Sequence, residues 1–571
     1  MRRAKPPKTG MRKGLTAYGD EEFSLFLRKA FIKAMGYSDE ALDRPIIGIT
    51  NTYSGFNACH RTVPDLIEAV KRGVMLAGGM PVDFPTISLH ESFAWPTSMY
   101  LRNLMSVDTE EMIRGLPVDA VVLIGGCDKT VPALLMGAAS ANVPSILMVT
   151  GPMITGDHNG ERLGACTDCR RFWARFRAND ISAREIGEIE GKLAPAAGTC
   201  MVMGTASTMA LVTEAMGMML PGTAAIPAVH ADRLRAAEAT GMAAVELARR
   251  KLTTDRIVTA RAVENALRVL LAIGGSTNAI LHLTAIAGRA GVDVSLRRLN
   301  ELSDATPVLV DLKPTGPHYM EDLFAAGGIG AVLRELKPLL HLDCLTVTGE
   351  SLGERLAESE GGFVDRAVIR PLGAPLQPAG GLVALFGSLA PRGAILKRSA
   401  ADARLFERQG RAVVFSSLED LAARIDDPAL EVSPEDFLVL QNAGPTSPSA
   451  MPEAGYLPIP AKLARAGVKD MVRISDARMS GTAYGTVVLH VTPDAASGGP
   501  LAKLRSGDPI RLSVKERRID VMVDAAELAR RPAPAPATPE RGYARLYSEQ
   551  ILQADYGCDF DFLRRAPLGA R

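Results

Sequence analysis

The stretch Ala120-Val121-Val122-Leu123-Ile124-Gly125-Gly126-Cys127-Asp128-Lys129-Thr130-Val131-Pro132 sets an uninterrupted apolar run against two glycines, then a thiol, a carboxylate and an amine. An apolar run closed by turn glycines reads as a strand buried on both faces, the pattern of a parallel sheet. Its neighbours repeat the rhythm. Pro45-Ile46-Ile47-Gly48-Ile49-Thr50 is a second such run, followed by a loop and by helical spacing over 62–77. Further strands are predicted over 82–89 and 145–150, and helices over 107–115 and 132–141. This alternation predicts βαβ units, hence an α/β fold whose first domain has a largely parallel sheet covered by helices on both faces. Over 206–290 the pattern is mostly helical, with Met and Leu stripes that read as core packing.

The 571 residues are too many for one ordinary core. Pro and Gly accumulate at Pro371-Leu372-Gly373-Ala374-Pro375, which places a boundary there. Residues 1–375 then form the α/β/α domain. Residues 376–571, with short Val and Leu runs at 412–415, 437–440, 486–491 and 519–523, form a smaller β-rich, barrel-like domain. The run 532–539, PAPAPATP, reads as an extended spacer before a tail, 542–563, that docks back on the fold.

The 65 basic and 64 acidic residues nearly cancel, so no global field favours nucleic acid or an anionic membrane. The basic N-terminus, MRRAKPPKTGMRKG, lacks a following apolar run; it fails as a secretory signal and reads as a flexible arm. The apolar regions 201–229 and 267–290 are interrupted by Glu214, Pro221, Arg268 and His282, so neither is expected to span a bilayer. A cytoplasmic protein is expected. Seven cysteines, an odd number thinly spread, argue against a disulfide framework and leave buried apolar residues or metal ligands.

Cys166-Thr167-Asp168-Cys169 is a CxxC, half of a zinc site or a redox pair taken alone. No second CxxC or HxxxH supplies the other ligands, so a structural or incidental role is the favoured reading. Cys59, Cys127 and Cys200 share a different context, each in a loop with small residues nearby, two of them following predicted strands. Loops at the carboxyl ends of parallel strands converge on one crevice. Three thiolates meeting there suit an iron-sulfur cluster or zinc; spacing alone favours three buried cysteines. Glu91, after the strand predicted over 82–89, and Asp128 fall at the same sheet edge, and oxygen ligands of that kind suit Mg²⁺. Either acid alone reads as a helix cap or a solvated loop residue.

The segment 127–137, CDKTVPALLMG, resembles the first signature of the dihydroxy-acid dehydratase and phosphogluconate dehydratase family. Residues 473–482, RISDARMSGT, resemble the second, with Ser475 where Thr is common and Ala477 where Gly is common. Supporting segments are 198–200, 273–278, 385–391, 450–453 and the tail 553–562, so the resemblance covers nearly the whole chain after the basic arm. It implies dehydration of a 2,3-dihydroxy carboxylate to a 2-keto-3-deoxy acid. By resemblance, Cys59, Cys127 and Cys200 would hold an iron-sulfur cluster, 2Fe-2S favoured over 4Fe-4S. Glu91, Asp128 and Glu453 would bind Mg²⁺ together with Lys129 as a carbamate. Without carbamylation, Lys129 reads as an ion pair to Asp128 or Glu91. Ser480, otherwise a turn residue, becomes the base, and Gly481 is expected to let the backbone approach the ligand. Thr482 is the candidate for substrate contact.

Residues 51–54, 81–86 and 90–93 look more like the sugar-acid branch of the family than the branched-chain amino-acid branch, and Glu91 stands where the biosynthetic enzymes tend to have Asp. The expected substrate is therefore a small hydroxy acid such as arabinonate or xylonate; the alternative is 2,3-dihydroxyisovalerate. The resemblance also implies a homodimer or a tetramer of dimers, with no nucleic-acid or membrane partner. Outside this class, the competing readings are a redox sensor using Cys166 and Cys169 and, more weakly, nucleotide binding at the glycines of 326–330.

Overall fold

The computed structural model describes residues 9–15, 18–533 and 538–565. The first sheet contains β1 (Ile46–Asn51), β2 (Met80–Pro85), β3 (Ala120–Gly125) and β4 (Ser145–Val149), all parallel and ordered β2-β1-β3-β4. Every residue of β3 and β4 is buried, as expected for central strands between two helical layers. Helices Val63–Leu76 and Ala231–Arg250 pack together on one face, and Ser98–Gly115 and Thr130–Ala141 on the other. Thr130–Ala141 is largely apolar around its circumference and buried from Thr130 to Ser140.

Some elements depart from the sequence reading. The strand predicted over 82–89 stops at Pro85 because its partner β1 stops at Asn51, whose carbonyl receives the last ladder bond from the Thr86 amide. The Ile87 amide donates instead to the Asp108 carboxylate. Glu91 therefore lies beyond the strand, in a short 3₁₀ turn, Glu91–Phe93. The basic N-terminus is not a free arm where it is described. The Gly10 amide donates to Asp119, Lys13 Nζ donates to the Val118 carbonyl, and Arg28 grips the carbonyls of Met11 and Lys13. Residues 1–8 of that stretch, and 534–537 of the proline-rich spacer, lie outside the described residues.

A hairpin, β5 (Gly156–His158) and β6 (Glu161–Leu163), leads to the helix Thr167–Arg177. The second sheet is built from β7 (Val383–Leu385), β8 (Gly393–Leu396), β9 (Glu407–Phe415), β10 (Phe437–Leu440), β11 (Arg473–Ser475), β12 (Val487–Thr492), β13 (Pro509–Ser513) and β14 (Arg518–Val521). Its order is β14-β13-β9-β10-β11-β12-β8-β7, with β9 to β12 parallel and the rest antiparallel. The two ends meet: the Phe386 amide donates to the Arg517 carbonyl, and the Ile519 amide to the Phe386 carbonyl, 2.9 Å each. The sheet is thereby nearly closed into a barrel, which removes its exposed edges.

The tail returns to the first domain. Arg102 donates to the carbonyls of Gly557 and Cys558, and Arg289 makes a fully buried bidentate pair with Asp559 at 2.7 and 2.8 Å. Cys558 then packs on Met451, under the loop that carries Glu453. Among the described residues, no helix is long and apolar enough to cross a membrane.

Candidate active site

In a parallel sheet of order 2-1-3-4 the connections leave β1 and β3 in opposite directions, opening a crevice at their carboxyl ends. Cys59 lies in the loop after β1, and Cys127 and Asp128 in the loop after β3. Cys200 reaches the same edge because Thr199 runs alongside Pro152, just past β4, exchanging backbone bonds with Gly151 and Met153.

Two devices stitch these loops together. The Gly198 amide donates to the Ala58 carbonyl, tying the Cys200 segment to that of Cys59. His60, fully buried, accepts at Nε2 from the amides of Gly126 and Cys127 at 3.0 and 3.1 Å, while its Nδ1 lies 2.8 Å from the Thr52 carbonyl. That arrangement requires a neutral ring protonated on Nδ1, and burial lowers the His60 pKa to about 4. Gly126 is obligatory here: a Cβ would stand 1.8 Å from Thr150 Oγ1.

The thiols fall into pairs. Cys59 and Cys127 hydrogen-bond directly; this favours the thiolate at Cys59, which His90 also supports, and holds the proton on Cys127. Cys200 Sγ lies 3.9 Å from Cys166 Sγ. The CxxC thus lies against the third cysteine, a placement its reading in sequence does not include. Isolated spacing cannot reveal that the β5–β6 hairpin folds it back against the Cys200 loop. Its internal Asp168 anchors it there, accepting from the Gly164 amide, Lys313 and Tyr319. Cys169 hydrogen-bonds Cys166, which favours the Cys166 thiolate.

Beside the thiols, oxygens of Glu91, Asp128 and Glu453 lie within 4.8 Å of one another. Glu91 and Asp128 come from the first domain; Glu453 comes from a turn of the second. The link is Arg478, fully buried, whose guanidinium donates to Glu91 and Glu453 at 2.6 Å each and to Thr97 at 2.9 Å. Its backbone also accepts from the Gly455 amide and donates to the Pro452 carbonyl. Lys129, at the start of helix Thr130–Ala141 and fully buried, pairs with Asp128 at 2.5 Å and with Glu91 at 3.4 Å. Both ion pairs named in the alternative sequence reading of Lys129 are thus present. Arg478 and Lys129 outweigh the desolvation that opposes ionisation of Glu91, holding its pKa well below the usual carboxylate range. Burial, then the charge of Glu91, pushes Glu453 up to about 7. Ser98 also donates to Glu91.

Ser480 follows β11 and is only partly buried. Its hydroxyl lies 2.8 Å from that of Thr482, whose carbonyl accepts from Thr167 beside Cys166. Gly481 does not face a ligand space as expected: its Cβ would meet Ser276 at 2.6 Å and the Thr205 amide at 2.9 Å, so the small residue serves close packing between domains. Lys397, buried, donates to the Gly481 carbonyl at 3.3 Å.

Several residues around the site had no role in the sequence reading: Arg478, His60, Ser98 and Lys397. Arg478 lies inside the second signature, but only the fold reveals that it reaches two acids remote in sequence.

Residues 44–355 match the N-terminal domain of the dihydroxy-acid/6-phosphogluconate dehydratases, and residues 367–558 match their C-terminal domain. The chain is 48% identical to an L-arabonate dehydratase of Azospirillum brasilense over 96% of each sequence. It is 45% identical to a 6-deoxy-6-sulfo-D-gluconate dehydratase of Pseudomonas putida over 92% of each. A dihydroxy-acid dehydratase of Acetivibrio thermocellus is 38% identical, over 93% of this chain and 96% of that one.

Proposed function

The chain belongs to the dihydroxy-acid/6-phosphogluconate dehydratase family and is a hydro-lyase, and from that premise we propose that it dehydrates a sugar acid, such as L-arabinonate or xylonate, to the 2-keto-3-deoxy acid. The observation that carries this reading is the convergence, at one crevice, of a thiol pocket, a three-carboxylate cluster and Ser480. The higher identity to sugar-acid dehydratases than to the dihydroxy-acid dehydratase supports the substrate class.

Cys59, Cys127 and Cys200 fit an iron-sulfur cluster: hydrogen bonds from backbone amides pin their segments together, and the Cys59 and Cys127 thiols are neighbours. Glu91, Asp128 and Glu453 fit a divalent cation with oxygen ligands. When bound, the two groups supply Lewis acidity, the cluster for the C3 hydroxyl and Mg²⁺ for the carboxylate and C2 hydroxyl. Ser480 takes the C2 proton. Loss of that proton and of the C3 hydroxyl leaves an enol, which tautomerises to the keto acid. Arg478 keeps Glu91 ionised and Glu453 oriented before the cation arrives. Carbamylation of Lys129 would replace the ammonium that competes with the cation by an additional oxygen ligand. Thr482 holds the Ser480 hydroxyl from one side and is the proposed substrate contact.

The proposed setting is a cytoplasmic homodimer or tetramer of dimers. Exposed aromatic side chains beside the crevice, Tyr53, Phe56, Phe93 and Trp95, support burial of this face by a second copy.

The deciding experiment measures turnover of anaerobically reconstituted protein on L-arabinonate, D-xylonate and 2,3-dihydroxyisovalerate. A clear preference for a sugar acid is expected; a preference for the branched acid would overturn the substrate class. Metal analysis of the same sample should find iron, sulfide and magnesium, uptake of isotope-labelled CO₂ reports on Lys129, and light scattering reports the oligomer.

A further inference from the structure

The thiol pocket holds two thiols beyond the three cysteines above, Cys166 and Cys169, and Cys166 is the one set against a proposed ligand. Cys166 Sγ stands 3.9 Å from Cys200 Sγ, while Cys59 and Cys127 make the other close pair. Two thiolates bound about 2.3 Å from one tetrahedral metal are about 3.8 Å apart. Cys166 and Cys200 have that spacing, and Cys59 and Cys127 hydrogen-bond each other in the same pocket, which suits two thiolates on each iron of a 2Fe-2S cluster.

Cys166 is placed there by more than chance packing. The buried Asp168 holds the loop through Gly164, Lys313 and Tyr319, and Thr167 ties it to the Thr482 carbonyl in the catalytic segment. Cys166 is also the N-cap of the helix Thr167–Arg177, so the start of that helix fixes its position. Cys169, one turn on, hydrogen-bonds Cys166 and makes no such contact with Cys200.

We propose that Cys166 is a fourth protein ligand of the cluster in the substrate-free enzyme, pairing with Cys200 on one iron as Cys59 pairs with Cys127 on the other. The proposal rests on the cluster reading above. It makes the iron that serves the substrate coordinatively filled at rest, and access to it a ligand exchange. One iron–sulfur bond breaks and one iron–oxygen bond forms; the thiolate keeps its electron pair, the hydroxyl keeps its proton, and no electron is transferred. At rest, the fourth thiolate shields the iron from oxygen and water.

The test uses protein reconstituted without oxygen. Iron and sulfide are assayed first; a wild type that binds neither overturns the cluster reading itself. With the cluster present, Cys166→Ser and Cys166→Ala are expected to keep near wild-type iron content while the thiolate-to-iron absorption falls by roughly a quarter, one thiolate of four. Cluster lifetime in air should shorten several-fold. Cys169→Ser should change neither. A Cys166 variant with the wild-type spectrum and air lifetime would overturn the proposal.

A measurement on the wild type keeps the question open to refutation if the variants fail to fold. Alkylation followed by mass spectrometry should label Cys166 at least about tenfold more slowly with the cluster in place than after its removal. Equal rates in the two states would sink the idea.

Discussion

The thiol pocket and the carboxylate cluster adjoin each other but are held by different forces. All of the thiols come from the first domain, and backbone hydrogen bonds fix their loops: Gly198 to Ala58, and the amides of Gly126 and Cys127 to His60. The carboxylates come from both domains and are joined by charge, with Arg478 bridging Glu91 and Glu453. Neutral hydrogen bonds in a single sheet form with that sheet. A buried ion pair across a domain seam is stable only while every charge keeps its partner. The thiol side should therefore tolerate loss of the seam, whereas the carboxylate side should not tolerate loss of one cation.

The largest expected effect lies between the two regions and disturbs neither. Ser480→Ala should lower kcat by about 10³-fold or more while iron absorbance and melting temperature stay at wild-type values, the range expected for removal of a general base. Retained turnover would remove Ser480 from the mechanism.

Arg478→Leu tests the charge side. It leaves Glu91 and Glu453 facing each other, and a loss of about 3–5 kcal/mol is expected in denaturant unfolding without divalent cation. Added Mg²⁺ should restore a large part of it, more than it adds to the wild type. Cluster content after reconstitution should change little; a parallel loss of iron would show that the two regions are not independent.

His60 tests the thiol side through pH. Its pKa is lowered from 6.5 to about 4, so the native state requires the neutral ring. The contribution is complete above about pH 6.5 and is lost as pH falls from there through about 4, amounting at most to about 3 kcal/mol. His60→Gln should flatten that part of the stability–pH curve. An unchanged acid limb would assign acid sensitivity to other groups.

The smallest effect is expected from Thr482→Val, which removes the hydroxyl 2.8 Å from that of Ser480. A single hydrogen bond of this kind is worth about 0.5–1.5 kcal/mol, so kcat/KM should fall about 2–10-fold. A change confined to KM would favour direct substrate contact over support of the serine.

Much of this arrangement is legible in the sequence. The run 120–124 reads as a central parallel strand because both of its faces are covered, and Cys127-Asp128-Lys129 lies in the loop after it. β11 was harder to see: Arg473-Ile474-Ser475 looks polar, yet it is buried because Arg473 is satisfied by Asp470 and the Tyr456 carbonyl. Glu91 was identified as a candidate ligand, although the strand thought to deliver it stops at Pro85. The placement of the CxxC beside Cys200 is not legible in the sequence, because a two-ligand motif carries no information about which distant loop it will face.

The sequence by itself carried the α/β and β-rich halves in its apolar periodicity, and the family, with the cysteines, acids and serine that it implies as candidates, in the resemblance of its motifs, since both are local properties of the chain. Only the tertiary structure decided that Arg478 joins Glu91 to Glu453, that His60 clamps the Cys127 loop, and that Cys166 stands beside Cys200. Those contacts depend on loops from separate strands and domains meeting at one sheet edge, and a distance across a fold is not encoded in the spacing along it.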